Sequence, residues 1–158
     1  MRLVHYSKGP LLELHNNSPI YRDDPYFKPR GLWVSAETGN EDGWKDWCES
    51  EGWGVFRLGS YHETELTLKD DSKVLTISSY NELMTFDRKF GINLRFRRYI
   101  DWPKLEKIYR GINIAPYIWK AKMEIQWYYS WDCASGCFWD TSVLELGTSV
   151  LKKSEVLV

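Results

Sequence analysis

The stretch GLWVS at residues 31–35 is followed by a polar link and then by DGWKDWCESEG at residues 42–52. The first run is short and apolar and opens with glycine, which predicts a β-strand. In the second run Trp44, Trp47 and Cys48 have the i, i+3, i+4 spacing of one buried helix face. An aspartate opens this run and a glycine closes it, as helix ends prefer. The sequence therefore predicts a strand that leads directly into a helix.

Another short strand is predicted at the beginning of the chain. Residues 2–7, RLVHYS, form a run with apolar and aromatic members, and the turn formers KGP follow at residues 8–10. Residues 16–30 then contain NNSP, DDP and KPR, with Gly31 directly after them, a density of turn formers that predicts a long ordered loop. Loops of this length inside a compact domain tend to be functional.

Strands and isolated helices continue through the middle of the chain. Alternating polar and apolar residues predict strands at residues 61–68 and 73–77, joined by a short polar turn. Ser79 and Glu82 have the spacing of a capping box, which predicts that a helix begins here and runs to about Phe90.

The order of these elements predicts an α+β fold. A further helix is predicted within residues 101–111, and a strand at residues 112–114 follows it. We expect one compact domain over residues 1–158, because the length is close to that of a single domain. The strands of His5 and Trp33 are expected to share a central, mostly antiparallel sheet, with a few short helices packed on it.

An aromatic-rich segment, MEIQWYYSWDCASGCFWD, occupies residues 123–140. Strand-forming residues flank the small residues ASG at 134–136, which predicts two strands that meet at a tight turn. Aromatic rings surround Asp132, and an acid in such surroundings is a candidate functional group. The alternative is a turn-capping aspartate that accepts hydrogen bonds from the backbone N–H groups of Ala134 or Ser135.

Composition limits the expected partners. The 21 Lys and Arg against 22 Asp and Glu give a net charge of -1, so there is no strong long-range attraction to nucleic acid or anionic membranes. A nucleic-acid partner would need a local patch, best formed by Arg95, Arg97 and Arg98 with Arg88 and Lys89 nearby, although such a cluster is usually a solvated face. Nine tryptophans exceed what a core needs, so some rings are expected to form a binding surface.

The three cysteines, Cys48, Cys133 and Cys137, are an odd number without the spacing of a disulfide framework. No N-terminal segment has the pattern of a signal peptide, so we expect a cytoplasmic protein with free thiols. Cys133 and Cys137 lack further ligands at suitable spacing, so no metal site is predicted. No apolar run approaches the roughly 20 residues of a membrane span, so no membrane partner is expected.

The sequence contains no P-loop, dinucleotide-binding glycine fingerprint, zinc-protease helix or serine-hydrolase elbow. What remains are VHYS at residues 4–7, GLWVS at residues 31–35 and the acid Asp132. Residues 4–7 resemble the first-strand His-Gly-Ser/Thr motif of the ADP-ribosyltransferase superfamily, in the branch of diphtheria toxin, poly-ADP-ribose polymerases and RNA 2'-phosphotransferases. Residues 31–35 are similar to the second motif of that branch, Gly-Ile-Tyr-Phe-Ala/Ser, which a helix also follows. The chain also resembles small uncharacterised phage and bacterial proteins.

The resemblance implies an ADP-ribosyltransferase-like split sheet, the cofactor NAD, and transfer of ADP-ribose to a macromolecule after the nicotinamide–ribose bond is cleaved. It implies that His5 hydrogen-bonds a ribose hydroxyl and that Trp33 stacks on nicotinamide. It also implies that Asp132 stabilises the oxocarbenium-like ribose and positions the acceptor. The further residues expected at the nucleotide are Tyr6, Ser7, Ser35 and Ser135. The loop at residues 16–30 is expected to fold over the mouth of this cleft.

Three positions depart from the family pattern: Tyr6 replaces glycine, Trp33 replaces tyrosine, and Asp132 replaces glutamate. Asp140 or Glu145 is the acid if the alignment of the late strand is shifted. Two other classes of function remain open. One is a non-catalytic phage or bacterial protein that binds and inhibits a host protein through an aromatic surface. The other is a nucleic-acid binder that uses the arginine cluster and stacked aromatic residues.

Overall fold

The computed structural model of the chain describes residues 1–16 and 26–154. Its strands, in chain order, are β1 (Arg2–Ser7), β2 (Leu32–Glu37), β3 (Ser60–Leu68), β4 (Val74–Ile77), β5 (Gly91–Leu94), β6 (Arg97–Ile100), β7 (Gly111–Ile114), β8 (Ser135–Phe138) and β9 (Leu144–Lys153). Its α-helices are α1 (Trp44–Glu51), α2 (Tyr80–Phe90), α3 (Trp102–Glu106) and α4 (Trp119–Lys122). Short 3-10 turns lie at Val55–Arg57, Asp71–Lys73, Trp127–Ser130 and Thr141–Val143.

Seven of the strands form one mixed sheet in the order β4-β7-β8-β2-β1-β3-β9. The β4–β7 pair is parallel, and every other neighbouring pair in this sheet is antiparallel. Strands β5 and β6 form a separate antiparallel hairpin. The prediction of an α+β fold with a mostly antiparallel central sheet and few short helices is confirmed, and the strands of His5 and Trp33 are neighbours in that sheet.

The central strands β1 and β2 are paired over only part of their length. Their register runs from Arg2 opposite Glu37 to Val4 opposite Ser35. Beyond that point β1 continues its pairing with β3, and β2 continues its pairing with β8. The two strands therefore separate after Val4, which opens a fork in the middle of the sheet.

The buried apolar side chains form two groups. The larger contains most of the buried residues of β4, β7, β8, α2 and α3, together with Trp127, Tyr128 and Trp131. The smaller is built from Cys48, Phe56 and Tyr61, with Tyr6, Trp44, Trp47 and Val55 packed against it. Burial of this apolar area is the main favourable contribution to folding.

The helix starts follow local capping chemistry. The Ser79 hydroxyl accepts a hydrogen bond from the Glu82 N–H at 3.2 Å, and Asp101 accepts one from the Lys104 N–H at the same distance. Gly43, rather than the preceding aspartate, is the N-cap of α1, and Gly52 ends that helix with a left-handed φ of 63°. Across the described ranges, no helix is both long enough and apolar enough to cross a membrane.

The predicted pair of strands around residues 134–136 is wrong. The preceding aromatic segment is not a strand: it contains a 3-10 turn at Trp127–Ser130, whose aromatic side chains enter the core from several directions. Ser135 and Gly136 of the predicted turn belong to β8 itself, and Ala134 directly precedes it, with Gly136 between β2 and β7. Gly136 has no room for a side chain, because a Cβ there would lie 2.9 Å from Asn113 Oδ1 and 3.0 Å from the Ile112 carbonyl oxygen.

The two strands predicted at residues 61–68 and 73–77 are both present, but they are not neighbours. Strand β3 pairs with β1 and β9, whereas β4 lies at the opposite edge of the sheet beside β7. After the polar turn, the chain therefore passes from β3 across most of the sheet to its far edge. Local alternation identifies a strand but contains no information about which strand will pair with it.

The lack of a side chain at Gly31 allows the start of β2 to lie close to β8. A Cβ at this position would overlap the backbone carbonyl oxygen of Phe138, whereas a Cβ at Gly9 would meet only open space. We expect Gly31→Ala to lower the free energy of unfolding by about 1–3 kcal/mol, because backbone must move to relieve the overlap. Gly9→Ala is the matched control and should change stability by less than about 0.5 kcal/mol. Urea unfolding curves of both variants measure the difference, and equal midpoints would contradict this account.

Candidate functional site

A cavity of about 340 Å³ lies in the fork between β1 and β2. Trp33, Val34 and Trp131 on one side belong to the larger apolar cluster, whereas Tyr6 and Trp44 on the other side pack against the smaller one. The cavity therefore lies where the two parts of the core meet. Small-molecule sites of proteins are typically concave, mostly apolar and about 300–1,000 Å³ in volume.

Six side chains that the sequence selected lie around this one cavity. They are His5, Tyr6, Trp33, Ser35, Asp132 and Ser135. The seventh, Ser7, does not line it: Ser7 ends β1, and its hydroxyl donates a hydrogen bond to the Gly9 carbonyl at 2.7 Å. Of the loop predicted at residues 16–30, positions 17–25 lie outside the described residues, while Lys28 lines the cavity.

His5 is held by the neighbouring strand through one ring nitrogen. Its Nδ1 lies 2.8 Å from the carbonyl oxygen of Trp33. Because a carbonyl only accepts hydrogen bonds, Nδ1 carries the proton and donates it, and in the neutral ring Nε2 is then an acceptor. No described residue hydrogen-bonds Nε2. The bond also joins β1 to β2 just beyond the end of their paired register.

Tyr6 and Ser35 are both bound to Glu37. The Tyr6 hydroxyl donates to Glu37 Oε1 at 2.7 Å, and the Ser35 hydroxyl donates to the same oxygen at 3.0 Å. Ser35 Oγ in turn accepts the Trp44 N–H at 2.8 Å, which fixes the first turn of α1 against β2. Burial, together with the bond to the Glu37 carboxylate, raises the pKa of Tyr6 far above its usual value of 10.0.

The hydroxyl donors predicted to bind a nucleotide are thus used within the protein. Ser135 follows the same pattern, because its hydroxyl donates to the Cys133 carbonyl at 3.1 Å. Nε2 of His5, the carboxylate of Asp132 and the oxygen lone pairs of the serines can still accept hydrogen bonds from a ligand. A ligand that donates hydrogen bonds, such as a sugar with free hydroxyls, matches this inventory.

The ring of Trp33 lines the cavity and is held by packing against a neighbouring tryptophan. The ring packs edge-on against Trp131, with ring centres 5.0 Å apart and planes at 61°. The ammonium group of Lys28 lies 5.4 Å from the centre of the Trp33 ring. An indole face of this kind attracts cations and stacks on flat heteroaromatic groups.

Hydrogen bonds of the backbone before and after Asp132 fix the position of this residue. The carbonyl of Trp131 accepts a hydrogen bond from the Tyr117 hydroxyl, and Ala134 donates its N–H to the Asp42 carbonyl at 2.7 Å. The carboxylate is about one-third exposed, and its Oδ1 lies 3.7 Å from the ammonium nitrogen of Lys122. It therefore borders the cavity in a polar, partly solvated setting.

Asp140 and Glu145, the other candidate acids, have surroundings different from those of Asp132. Asp132 makes no hydrogen bond to the backbone of Ala134 or Ser135, so it is not a turn cap. Asp140 caps a 3-10 turn by accepting the Ser142 N–H at 3.0 Å and pairs with Arg110. Glu145 lies on β9 opposite Thr67. Neither Asp140 nor Glu145 lines the cavity.

Sequence reasoning missed several residues of the site. Glu37 follows Ser35 by two positions on β2, and the period-two pattern of a strand was a usable signal for it. The helical spacing favours a core position for Trp44, and in the structure this residue also lines the cavity. Lys28 and Cys133 carried no sequence signal, because their position depends on loops that the tertiary structure places.

A second cavity, of about 260 Å³, shares Asp132 with the first. Its lining is strongly acidic, with Lys122 as the one cation among the lining residues and two tryptophans at its sides. Its carboxylates are those of Glu41, Asp42, Asp46, Glu51 and Asp132. Asp132 is thus reached from two directions, one largely apolar and one acidic.

All three cysteines are buried free thiols. Burial raises the pKa of Cys133 to about 12 and that of Cys137 well above its usual 9.0. Within residues 1–16 and 26–154, no three His, Cys, Asp or Glu side chains are grouped closely enough to hold a metal ion. A buried thiol with a raised pKa is a poor nucleophile, so these cysteines are structural.

Comparison of the chain with protein families, curated proteins and solved structures found no matching family model, curated protein or structure.

The raised thiol pKa values predict a loss of stability in alkali. An unfolded thiol loses its proton above pH ~8.5, whereas Cys133 and Cys137 keep theirs, so the unfolded state gains stability as pH rises. Cys133 should lower the free energy of unfolding by about 1.4 kcal/mol per pH unit between about pH 8.5 and pH 12, and Cys137 should act in the same direction. Urea unfolding across this range measures the slope. The Cys133→Ala/Cys137→Ala variant should show a smaller slope, and an unchanged slope would refute the assignment.

Proposed function

We propose that this chain is an ADP-ribosyltransferase-like enzyme that binds NAD, cleaves the nicotinamide–ribose bond and transfers ADP-ribose to a macromolecule. The observation that supports the proposal is the convergence of His5, Trp33 and Asp132 on the cavity between β1 and β2. These residues come from three segments that are far apart in sequence. Each has the chemistry that one part of a nicotinamide riboside requires.

The ribose is assigned to His5 and the nicotinamide to Trp33. Nε2 of a neutral His5 accepts a hydrogen bond from a ribose hydroxyl, while its Nδ1–H stays on the Trp33 carbonyl. The pyridinium ring of NAD is flat and cationic, and the Trp33 indole binds such a ring by stacking and by cation–π attraction. Lys28 lines the same cavity and supplies positive charge for the pyrophosphate.

Asp132 is assigned to the charge that develops during bond cleavage. The C1'–N bond breaks with both electrons moving to nitrogen, which leaves neutral nicotinamide and an oxocarbenium-like ribose. A carboxylate near that ribose lowers the barrier electrostatically. The acceptor nucleophile then forms a bond to C1' and gives its proton to Asp132 or to water. Lys122, 3.7 Å from Oδ1, acts as a positioning residue that holds the carboxylate in place.

The cavity volume of about 340 Å³ suits part of the cofactor rather than all of it. It is close to the lower end of small-molecule sites, so we assign it to the nicotinamide riboside half of NAD. The adenylate half then lies outside, toward the side on which Lys28 stands. Nicotinamide riboside alone should therefore compete with NAD for binding.

The role of Asp132 is tested by Asp132→Asn, which keeps the shape of the side chain and removes its charge. We expect turnover, measured as nicotinamide released from NAD with water or added protein as acceptor, to fall by about 100-fold or more. The Kd for NAD, measured by isothermal titration, should change little. Asp140→Asn is the matched control, because Asp140 does not line the cavity, and it should retain activity. Equal losses in both variants would contradict the assignment.

The role of Trp33 is tested by Trp33→Ala. Loss of a stacking ring should weaken NAD binding by about 1–3 kcal/mol, which isothermal titration detects directly. Trp33→Tyr keeps an aromatic face and should restore most of the affinity. Trp53→Ala is the control, because Trp53 is exposed and does not line the cavity. If Trp33→Ala binds NAD as tightly as the unaltered protein, the ring does not contact the ligand.

A second candidate function is inhibition of a host protein through an aromatic surface. Trp44 and Trp47 are stacked with centres 5.2 Å apart, and Trp53 packs perpendicular to both while remaining 56% exposed. An exposed tryptophan of this kind is typical of protein-binding surfaces. If the unaltered protein neither binds NAD nor releases nicotinamide at millimolar cofactor, the first proposal fails and this one takes its place.

A further inference from the structure

The hairpin of β5 and β6 has an unusual tip. Leu94 pairs with Arg97, so the loop consists of only Arg95 and Phe96. Both have left-handed backbones, with φ of 49° and 68°. Such a two-residue turn strongly prefers Asn-Gly, because side chains with a Cβ are strained there. Here a cation and an aromatic ring occupy the two positions instead, and Phe96 is fully exposed.

A cavity of about 220 Å³ lies beside this hairpin. Tyr99 of β6 lines it together with Phe27, Trp127 and Tyr129, and the Tyr129 side chain is more than half exposed. The remaining lining residues are Arg97, Arg98, Gln126 and Ser130. The described lining of this cavity therefore combines several aromatic rings with two guanidinium groups and includes no carboxylate.

Among residues 1–16 and 26–154, no carboxylate forms an ion pair with either of the two exposed arginines of the hairpin. Arg98 is paired with Asp87, and its guanidinium also donates to the Asp87 carbonyl at 2.7 Å. Arg95 and Arg97, in contrast, are exposed and form no ion pair with any described residue. Two free cations and an exposed ring thus stand at one end of a hairpin.

We propose that the tip of the β5–β6 hairpin and the adjoining aromatic cavity form a binding site for single-stranded nucleic acid. Arg95 and Arg97 contact phosphates, Phe96 stacks on one base, and the cavity beside Tyr99 and Tyr129 receives a neighbouring base. Proteins recognise single-stranded nucleic acid by this combination of aromatic side chains and cations. Every base has a flat face that can stack on an aromatic ring, and every phosphate linkage carries a negative charge. The strained turn presents Arg95 and Phe96 together at the tip.

Charge complementarity and ring geometry favour nucleic acid over an acidic peptide. Carboxylates would satisfy the arginines but would leave Phe96 and the tyrosine-lined cavity without a flat partner. Duplex nucleic acid is also disfavoured, because its bases are stacked on one another and are not available to Phe96. The site is distinct from the cavity that holds His5, since the two have no described lining residue in common.

The experiment measures fluorescence anisotropy of labelled oligothymidylate and oligouridylate of about 20 nucleotides over a range of salt concentrations. We expect both to bind, with affinity that falls as salt rises. Phe96→Ala should weaken binding by roughly 5- to 100-fold, the scale of one lost base stack. Arg95→Gln/Arg97→Gln should reduce the slope of log affinity against log salt by about 1.4, at about 0.7 for each phosphate contact.

Two further variants separate function from structure. Arg95→Asn/Phe96→Gly installs the preferred turn, so its melting temperature should rise while nucleic-acid binding is lost. Lys152→Gln/Lys153→Gln removes two exposed charges from β9 and should leave binding nearly unchanged. Isothermal titration with NAD should give the same Kd for all of these variants and for the unaltered protein. The nucleic-acid site can therefore fail without affecting the proposed NAD site, and the reverse also holds.

Three outcomes would overturn the proposal. The first is that neither oligonucleotide binds to the unaltered protein. The second is that polyglutamate of similar length binds as tightly as the oligonucleotides, which would make the site a receptor for acidic peptides. The third is that Lys152→Gln/Lys153→Gln weakens binding as much as Arg95→Gln/Arg97→Gln, which would show general charge attraction. If one of the two oligonucleotides binds more tightly, that difference shows whether the strand recognised is DNA or RNA. Either preference supports the proposed site.

Discussion

The separation of β1 from β2 after Val4 is the constraint on which the site depends. Each strand keeps an outer partner, β3 for β1 and β8 for β2, so both remain hydrogen-bonded while a gap opens between them. Unpaired backbone groups inside a protein are costly, and the His5 Nδ1–H satisfies one of them on the Trp33 carbonyl. The same bond fixes the tautomer of His5. A structural requirement of the sheet therefore prepares the imidazole as an acceptor.

The two apolar clusters make the fork rigid. Trp33 rests on Trp131, which is itself buried in the larger cluster, while Tyr6 packs edge-on against Phe56 in the smaller one. Glu37 then joins Tyr6 and Ser35 through their hydroxyl groups. The hydroxyl groups of Tyr6 and Ser35 therefore donate their hydrogen bonds within the protein rather than to a ligand. The groups that still line the cavity are a flat indole face and a few hydrogen-bond acceptors.

Prediction from the sequence succeeded where the signal was local. The strand at residues 31–35, the helix that follows it and the cap at Ser79 are all present, because period-two and period-3.6 patterns and capping bonds involve near neighbours. The segment at residues 123–140 was misjudged, because its aromatic residues are required by three-dimensional packing and follow neither period. The predicted turn at residues 134–136 failed for the same reason, since Gly136 is small to fit beside Asn113.

The sequence by itself determined the class of the fold, the strands that carry His5 and Trp33, and the free state of the three cysteines. Only the tertiary structure decided which strands are neighbours, that β1 and β2 diverge, and that Asp132 rather than Asp140 or Glu145 borders the cavity. The spacing of apolar residues along a helix or strand indicates which of its faces is buried. It does not indicate pairing across the sheet, because that choice is made by packing between residues that are distant in the chain.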